Sequence, residues 1–478
     1  MSGLVDVSDG DDRDISGLTL DSRHVQAGDL FIALRGTSLD GRDFVHDAEQ
    51  QGAAAVLCEA GDGHAFAGLS IPVFVIKDLR TRVGIIADRF FGSPSKRVVV
   101  VGITGTNGKT TCSHLLAQAL DTPPRRCALI GTLGSGFPTA LEPMATTTPD
   151  AIAVHRLLAG FVRAGATHVS MEVSSHALEQ ARITGIAFDI AVFTNLSRDH
   201  LDYHGDMVGY GAAKSRLFAI DRLQHAVINH DDPFGRELLE RLRGELHTIS
   251  FGISEGDVHA REIHLRADGL ELHAATPQGE IKLRVPLLGR FNVANLLAVL
   301  TCLLACGLSV EAARKDLRRV QPVAGRVEPF GGEAGVPLVV VDYAHTPDAL
   351  EQVLRALRAH TRGRLYCVFG CGGDRDRGKR PQMGQIAERL ADVVVLSDDN
   401  PRHEPGDQII DDIADGMHTT PRVIRDRASA IRTVIREAAP SDVVLIAGKG
   451  HEEYQLVGDK RVAYSDRDTV RNIVGEAA

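Results

Sequence analysis

One stretch limits the possible folds more than any other. Arg97-Val-Val-Val-Val-Gly-Ile-Thr104 runs without a break into Gly105-Thr-Asn-Gly-Lys-Thr-Thr111 and then into the apolar, helix-patterned residues 112–120. A continuous run of β-branched residues with no polar alternation predicts a strand covered on both faces, as in a parallel sheet flanked by helices. A glycine-rich turn between such a strand and a helix lets backbone N–H groups converge on an anion at the helix N-terminus. Lys109 then supplies a point charge to the β- and γ-phosphates of a nucleotide, and the Thr110 hydroxyl a magnesium ligand. The spacing departs from the strict G-x-x-x-x-G-K-[ST] pattern, which needs glycine where Ile103 stands; Gly102 is one residue too early.

A chain of 478 residues exceeds what one hydrophobic core serves, so two to four domains are expected. No apolar run approaches the ~20 residues of a membrane span, and the first ten residues have neither the basic nor the apolar region of a secretory signal. Cytoplasmic residence is the expectation, with no stable membrane insertion. Seven cysteines without a C-x-x-C pair argue against a disulfide framework or a zinc ribbon. The formal charge of -10 disfavours general attraction to nucleic acid.

The rhythm is α/β throughout. Strands are predicted at 29–34 and 54–57 with a helix near 44–51, and a turn-rich joint at Gly92-Ser-Pro-Ser95. Strand-like runs at 168–173, 189–193 and 226–229, separated by helical spans, predict a doubly wound parallel sheet. Residues 246–288 alternate polar and apolar around Asp268-Gly269, a hairpin signal, and so predict a small antiparallel element. From about residue 324 the rhythm restarts with strands at 338–342, 365–369, 392–396 and 442–447. The expected architecture is three α/β domains: 1–94, a small unit; 95–323, the phosphate-loop parallel sheet with its antiparallel element; and 324–478, Rossmann-like.

Chemistry-bearing residues cluster after predicted strands, where open α/β sheets place their ligands. Met171-Glu-Val-Ser-Ser-His176 and Thr194-Asn-Leu-Ser-Arg-Asp-His-Leu-Asp-Tyr-His-Gly205 each follow one, and Lys214 lies on a predicted helix just beyond. Gly289-Arg-Phe-Asn-Val-Ala-Asn295 opens an apolar helix with Asn292 and Asn295 on one face. In the last domain, Gly370-Cys-Gly-Gly-Asp-Arg-Asp-Arg-Gly-Lys-Arg-Pro381, Ser397-Asp-Asp-Asn-Pro-Arg402 and Gly448-Lys-Gly-His-Glu-Glu-Tyr-Gln455 predict one pocket. Arg375 and Arg402 suit carboxylates there, and Glu452 an ammonium group.

The phosphate loop in its Gly-Thr-Asn-Gly-Lys-Thr form resembles that of the Mur ligases, and the resemblance extends over nearly the whole chain. It implies an ATP-dependent amide ligase. ATP would be held by Gly105, Thr106, Asn107, Gly108, Lys109, Thr110 and Thr111, with Asn292 and Asn295 at the adenine side and Arg326, Asp342 and His345 closing on the nucleotide. Magnesium would be held by Thr110, Glu172, His200 and Lys214. The lysine at the matching position of the family is carbamylated by carbon dioxide, which turns a cation into an oxygen donor. Leu20-Asp-Ser-Arg-His-Val-Gln-Ala-Gly-Asp-Leu-Phe31 and Leu34-Arg-Gly-Thr-Ser-Leu-Asp-Gly41 match the family's uridine-diphosphate-binding domain, with Ser22 and Thr37 as contacts. Thr146, Thr147, Thr148, Ser174, Gln180 and Arg182 would meet the muramoyl dipeptide of UDP-N-acetylmuramoyl-L-alanyl-D-glutamate. Asp399-Asn-Pro-Arg402 resembles the signature of members that add meso-diaminopimelate, and carry-over assigns that amino acid to Arg375, Asp399, Asn400, Pro401, Arg402, Gly448 and Glu452. A monomer is expected. Lysine addition, folylpolyglutamate synthesis, and an ATP-binding switch or scaffold without ligation stand as alternatives.

Overall fold

The computed structural model describes residues 4, 7–36, 39–60, 66, 68–266, 269–332 and 335–477. The chain forms two compact units, one of Met1–Thr104, Pro123–Ala191 and His200–His225, the other of Gly105–Thr122, Val192–Asp199 and Ala226–Ala478.

The first unit begins with a four-stranded parallel sheet, Gly17–Thr19, Asp29–Ala33, Ala55–Glu59 and Val73–Ile76 in that spatial order. Its two faces build two cores, because successive side chains of a strand point to opposite sides. Leu30, Ile32, Ala55 and Leu57 pack with Leu79, Val83, Ile86 and Ala87 of helix Leu79–Phe90. Phe31, Ala33, Val56 and Cys58 pack with Val45 and Ala48 of helix Val45–Gln50. The same unit holds the parallel strands Val99–Thr104, His168–Glu172 and Cys127–Gly131, continued antiparallel by Gly134–Phe137 and Ala140–Glu142. The strands between residues 127 and 142 are absent from the sequence reading.

In the second unit the helix Lys109–Leu120 lies against Phe291–Ala305. Strands Val258–Arg266, Gly269–Thr276 and Gly279–Val285 form the expected antiparallel element. Of the predicted turn pair, Asp268 lies outside the described residues, and Gly269 pairs with Arg266.

The last part of this unit is a six-stranded sheet ordered Glu328–Gly331, Leu338–Asp342, Val443–Ala447, Leu365–Phe369, Val393–Leu396 and Arg422–Val423. All its neighbours are parallel except the first pair. Alternate residues of its central strands enter different cores: Val340, Cys367 and Leu445 on one face, Val339, Val368 and Val444 on the other. Double-sided burial explains why these segments read as unbroken apolar runs. All seven cysteines are free thiols, as expected. Among the described residues no helix is long and apolar enough to cross a membrane.

Candidate active site

The phosphate loop sits at the start of helix Lys109–Leu120. Gly105 (φ +148°) and Gly108 (φ +85°) adopt backbone conformations that only glycine takes readily. Space forbids a side chain too, since a Cβ on Gly105 would stand 1.9 Å from Thr194 Oγ1. The segment after strand Ile190–Phe193 fixes the loop from outside. Thr106 N–H donates to Asn195 O (2.8 Å), Asn107 N–H to Asn195 Oδ1 (2.9 Å), and Thr194 Oγ1 to Asn107 O (2.6 Å). Lys109 Nζ bends back over the loop and donates to the carbonyls of Gly105 (2.8 Å) and Thr106 (2.9 Å). Thr110 is buried and Thr111 half-buried in the first helical turn.

Asn292 and Asn295 are both buried and linked, as one helical face requires. Asn292 Nδ2 donates to Leu288 O (2.7 Å) and Asn295 Nδ2 to Asn292 Oδ1 (2.8 Å). Arg326 reaches the Thr110 hydroxyl (3.4 Å) and lies 4.5 Å from the centre of the Tyr343 ring. Its Nε is a buried donor without a partner among the described residues. Asp342, at the end of its strand, accepts N–H groups from Val327 and Ala344 (both 2.7 Å), while burial pushes its pKa up. His345 is exposed and bonded through Nδ1 to Tyr343 O (2.8 Å). Asp348 links to the phosphate loop by accepting from Asn107 Nδ2 (3.2 Å).

In the first unit a single hydrogen-bond network gathers the residues expected at the dipeptide. Thr132 donates twice to Glu172, from its N–H to Oε1 (2.8 Å) and from its hydroxyl to Oε2 (3.0 Å). Thr147 Oγ1 meets Thr132 Oγ1 (3.0 Å), and Thr148 Oγ1 donates to Glu172 O (2.9 Å) and accepts from Ser174 N–H (3.1 Å). Arg182 Nη1 donates to Thr148 O (2.9 Å), and Arg182 also holds Gln180 Oε1 through Nε (3.0 Å) and Nη2 (2.6 Å). Thr146 donates to Thr148 O (3.2 Å). Burial lowers the pKa of Arg182.

Gln180 carries the network to the Tyr203 hydroxyl (3.1 Å), and Tyr203 stacks on His176, which meets His200 edge-on at 4.9 Å between ring centres. His200 stands at φ +52°. Lys214 is fully buried with Nζ 4.2 Å over the Tyr210 ring. Ser22 is buried in the turn Ser22–His24, whose N-cap is Asp21. Thr37 lies outside the described residues.

The loops of the third candidate pocket follow the carboxyl ends of adjacent parallel strands. Gly373 N–H donates to Asn400 O (2.9 Å), and a Cβ on Gly373 would lie 1.9 Å from Pro401 O. Arg402, at φ +50°, donates from Nη1 to Gly373 O (2.9 Å), and its backbone is clasped by Leu456 and Gly458. Arg375 is exposed beside it. Asn400 donates to Glu452 Oε2 (2.9 Å), Asp399 is buried with its pKa raised by burial, and Gly448 N–H donates to Asp342 O (3.1 Å). Buried Arg380 grips Glu404 through two hydrogen bonds of 3.0 Å and holds that carboxyl down to about 2.

Four participants escaped the sequence reading: Thr132, Lys449, and the Arg380–Glu404 pair that braces the third pocket. Thr132 follows strand Cys127–Gly131, so the rule that ligands sit at strand ends could have found it. Arg380, in helix Lys379–Leu390, and Lys449 are both buried, and nothing local in the sequence marks them so.

Comparison with known proteins agrees along the chain. The family model described as the Mur ligase family, catalytic domain, matches residues 14–91; the Mur ligase middle domain matches 103–303; and the Mur ligase glutamate ligase domain matches 325–450. A UDP-N-acetylmuramoyl-L-alanyl-D-glutamate--2,6-diaminopimelate ligase of Alkalilimnicola ehrlichii is 50 % identical, covering 99 % of this chain and 97 % of its own. The protein of the same name from Pseudomonas aeruginosa is 51 % identical over 95 % of this chain and 93 % of its own. A solved structure of a ligase of that name superposes with a TM-score of 0.72 at 38 % identity, covering 97 % of this chain and 95 % of that one. The chain belongs to the Mur ligase family.

Proposed function

We propose that this protein joins meso-diaminopimelate to the D-glutamate γ-carboxylate of UDP-N-acetylmuramoyl-L-alanyl-D-glutamate at the expense of ATP, giving the UDP-linked tripeptide, ADP and phosphate for peptidoglycan synthesis. The observation that carries this reading is the third pocket, where Arg402, Asn400 and Glu452 are interlocked at adjoining strand ends. Fork-like donors and a carboxylate side by side suit an amino acid whose far end bears both a carboxylate and an ammonium group.

The γ-carboxylate attacks the γ-phosphorus of ATP, releasing ADP and leaving an acyl phosphate. The amine of diaminopimelate then attacks the acyl carbon, loses a proton, and expels phosphate. Lys109 stabilises charge on the phosphoryl oxygens, and the loop N–H groups orient them. Thr146 to Thr148, Ser174, Gln180 and Arg182 hold the dipeptide, with Ser22 and Thr37 at the uridine diphosphate. Asn292, Asn295, Arg326, Asp342 and His345 hold the rest of the nucleotide.

Magnesium fits the donors available. Magnesium prefers hard oxygen ligands and keeps waters and phosphate oxygens in its shell, a preference that the Thr110 hydroxyl and the Glu172 carboxylate suit. Thr110, Glu172 and a carbamylated Lys214 would supply oxygen ligands and His200 a ring nitrogen, and the ion would neutralise phosphate charge. Cytoplasmic residence, where ATP is available, and a monomeric working form belong to the same proposal.

The test is ligation of the UDP-linked dipeptide with meso-diaminopimelate and with L-lysine in parallel, for the native chain and Arg402→Ala. Diaminopimelate-selective product that the variant loses is expected. Preference for lysine would overturn the pocket assignment, and ATP binding without product from either amine would favour a switch or scaffold.

A further inference from the structure

The loop after strand Val443–Ala447 holds a lysine that the chemistry above does not use. Lys449 is 0 % exposed, a costly place for an ammonium group unless it is paired and hydrogen-bonded. Gly448 (φ +116°) and Gly450 (φ +54°) turn the backbone on either side of it. Its Nζ donates to Asn400 Oδ1 at 3.0 Å and to Glu452 Oε2 at 2.9 Å, and lies 5.6 Å from the centre of the Tyr454 ring. The triangle closes through Asn400 Nδ2, which donates to the same Glu452 oxygen at 2.9 Å. Leu456 N–H, in strand Tyr454–Val457, gives Asn400 Oδ1 a second hydrogen bond at 2.9 Å.

These contacts settle the orientation of both partners. An amide whose oxygen accepts twice cannot exchange its oxygen and nitrogen without losing both bonds. Asn400 therefore keeps its NH2 on the Glu452 side, with one of its two hydrogens uncommitted among the described residues, and Glu452 keeps Oε1 likewise. An N–H donor and a carboxylate oxygen are thus set next to each other.

We propose that Lys449 is the positioning residue of this pocket, fixing Glu452 and Asn400 as an adjacent acceptor and donor for the ammonium and carboxylate on one carbon of the amino-acid substrate. The proposal rests on the reading that this pocket takes diaminopimelate. Lysine, with an ammonium but no carboxylate at its far end, uses only half of that pair. Lys449 thereby contributes to discrimination without touching substrate.

Kinetics of the full chain with each of the three substrates varied in turn will test this. Lys449→Met removes the charge and the donor at similar length. The KM for meso-diaminopimelate is expected to rise roughly ten- to hundredfold, the range of a lost hydrogen bond to a charged group. The KM values for ATP and for the UDP-linked dipeptide should stay within about twofold, and the preference over L-lysine should narrow. Lys449→Gln, which keeps a donor without the charge, should fall between native and Met. Parallel movement of all three KM values, or an unchanged diaminopimelate KM, overturns the proposal. So does the loss in both variants of the rise in Tm that ATP gives the native chain, because Lys449 would then be a folding residue. A native chain that ligates neither amine would instead remove the reading of the pocket.

Discussion

Lys109 shows how a residue can be held ready for an anion. Its Nζ is bonded to two carbonyls of its own loop, at 2.8 and 2.9 Å, which fixes the charge at that loop. Lys109→Met should lower kcat/KM by about 10²- to 10³-fold, the usual scale for removing one group aimed at transition-state charge; phosphate release in the presence of all three substrates reads it. Near-native turnover would mean that the backbone amides alone suffice. His114, in the same helix, gives a pH dependence. Burial first, then the positive charges of Arg326 and His451, push its pKa down to about 3, and its Nε2 has no partner among the described residues. In the folded chain it stays neutral, whereas in the unfolded chain it gains a proton as the pH falls below about 6.5. Its contribution is therefore intact above that pH and lost progressively towards pH 3, at up to about 1.4 kcal/mol per pH unit. His451, lowered to about 4 by burial, adds in the same direction. His114→Gln should flatten the fall in Tm between pH 6 and pH 4.5; an equally steep fall would assign the acid sensitivity elsewhere.

At the level of elements, the loops matter through how closely their backbones approach. Gly373 lies where a Cβ would be 1.9 Å from Pro401 O. Gly373→Ala should push apart the loops carrying Arg375 and Arg402, costing about 1–3 kcal/mol of stability and raising the diaminopimelate KM more than the ATP KM. Gly160, inside helix Ala151–Arg163, has nothing within 4 Å of its would-be Cβ. Gly160→Ala should stabilise by about 0.4–1 kcal/mol through lost unfolded-state freedom, measured as a rise in denaturation midpoint with activity unchanged. Legibility in the sequence followed the same physics. The strands Leu338–Asp342 and Val443–Ala447 were readable because both faces are buried and the apolar run is unbroken. Gly134–Phe137 and Ala140–Glu142 were not, since a glycine-rich segment with a proline has the composition of a loop and becomes strand only by pairing with neighbours. Glu172 and Asn400 stand at strand ends, where such sheets put their chemistry and where the sequence leads one to look, whereas Lys449 is bonded to Asn400, 49 residues away, which no local pattern contains.

For the whole molecule, the phosphate loop and the amino-acid pocket lie in the same compact unit yet use different segments of it. The nucleotide side draws on residues 105–111, the segment 194–197 stitched to them, and residues 292–295 and 326. The amino-acid side draws on 370–381, 399–404 and 448–458. Ligand that binds only the native state stabilises it by RT ln(1 + [L]/Kd), about 2.7 kcal/mol at a hundredfold excess over Kd, and the local openings that bare the bound amides are suppressed most. Hydrogen exchange of the full chain should therefore give two footprints. A non-hydrolysable ATP analogue with magnesium should slow exchange in 105–111 and 194–197, and chelating the metal should shrink that footprint, because Thr110 would lose its share of the ion's coordination. Diaminopimelate should slow 399–404 and 448–458 whether or not the metal is chelated. If diaminopimelate protection also disappears on chelation, the amino-acid pocket depends on the metal as well, and the two segments open as one cooperative element.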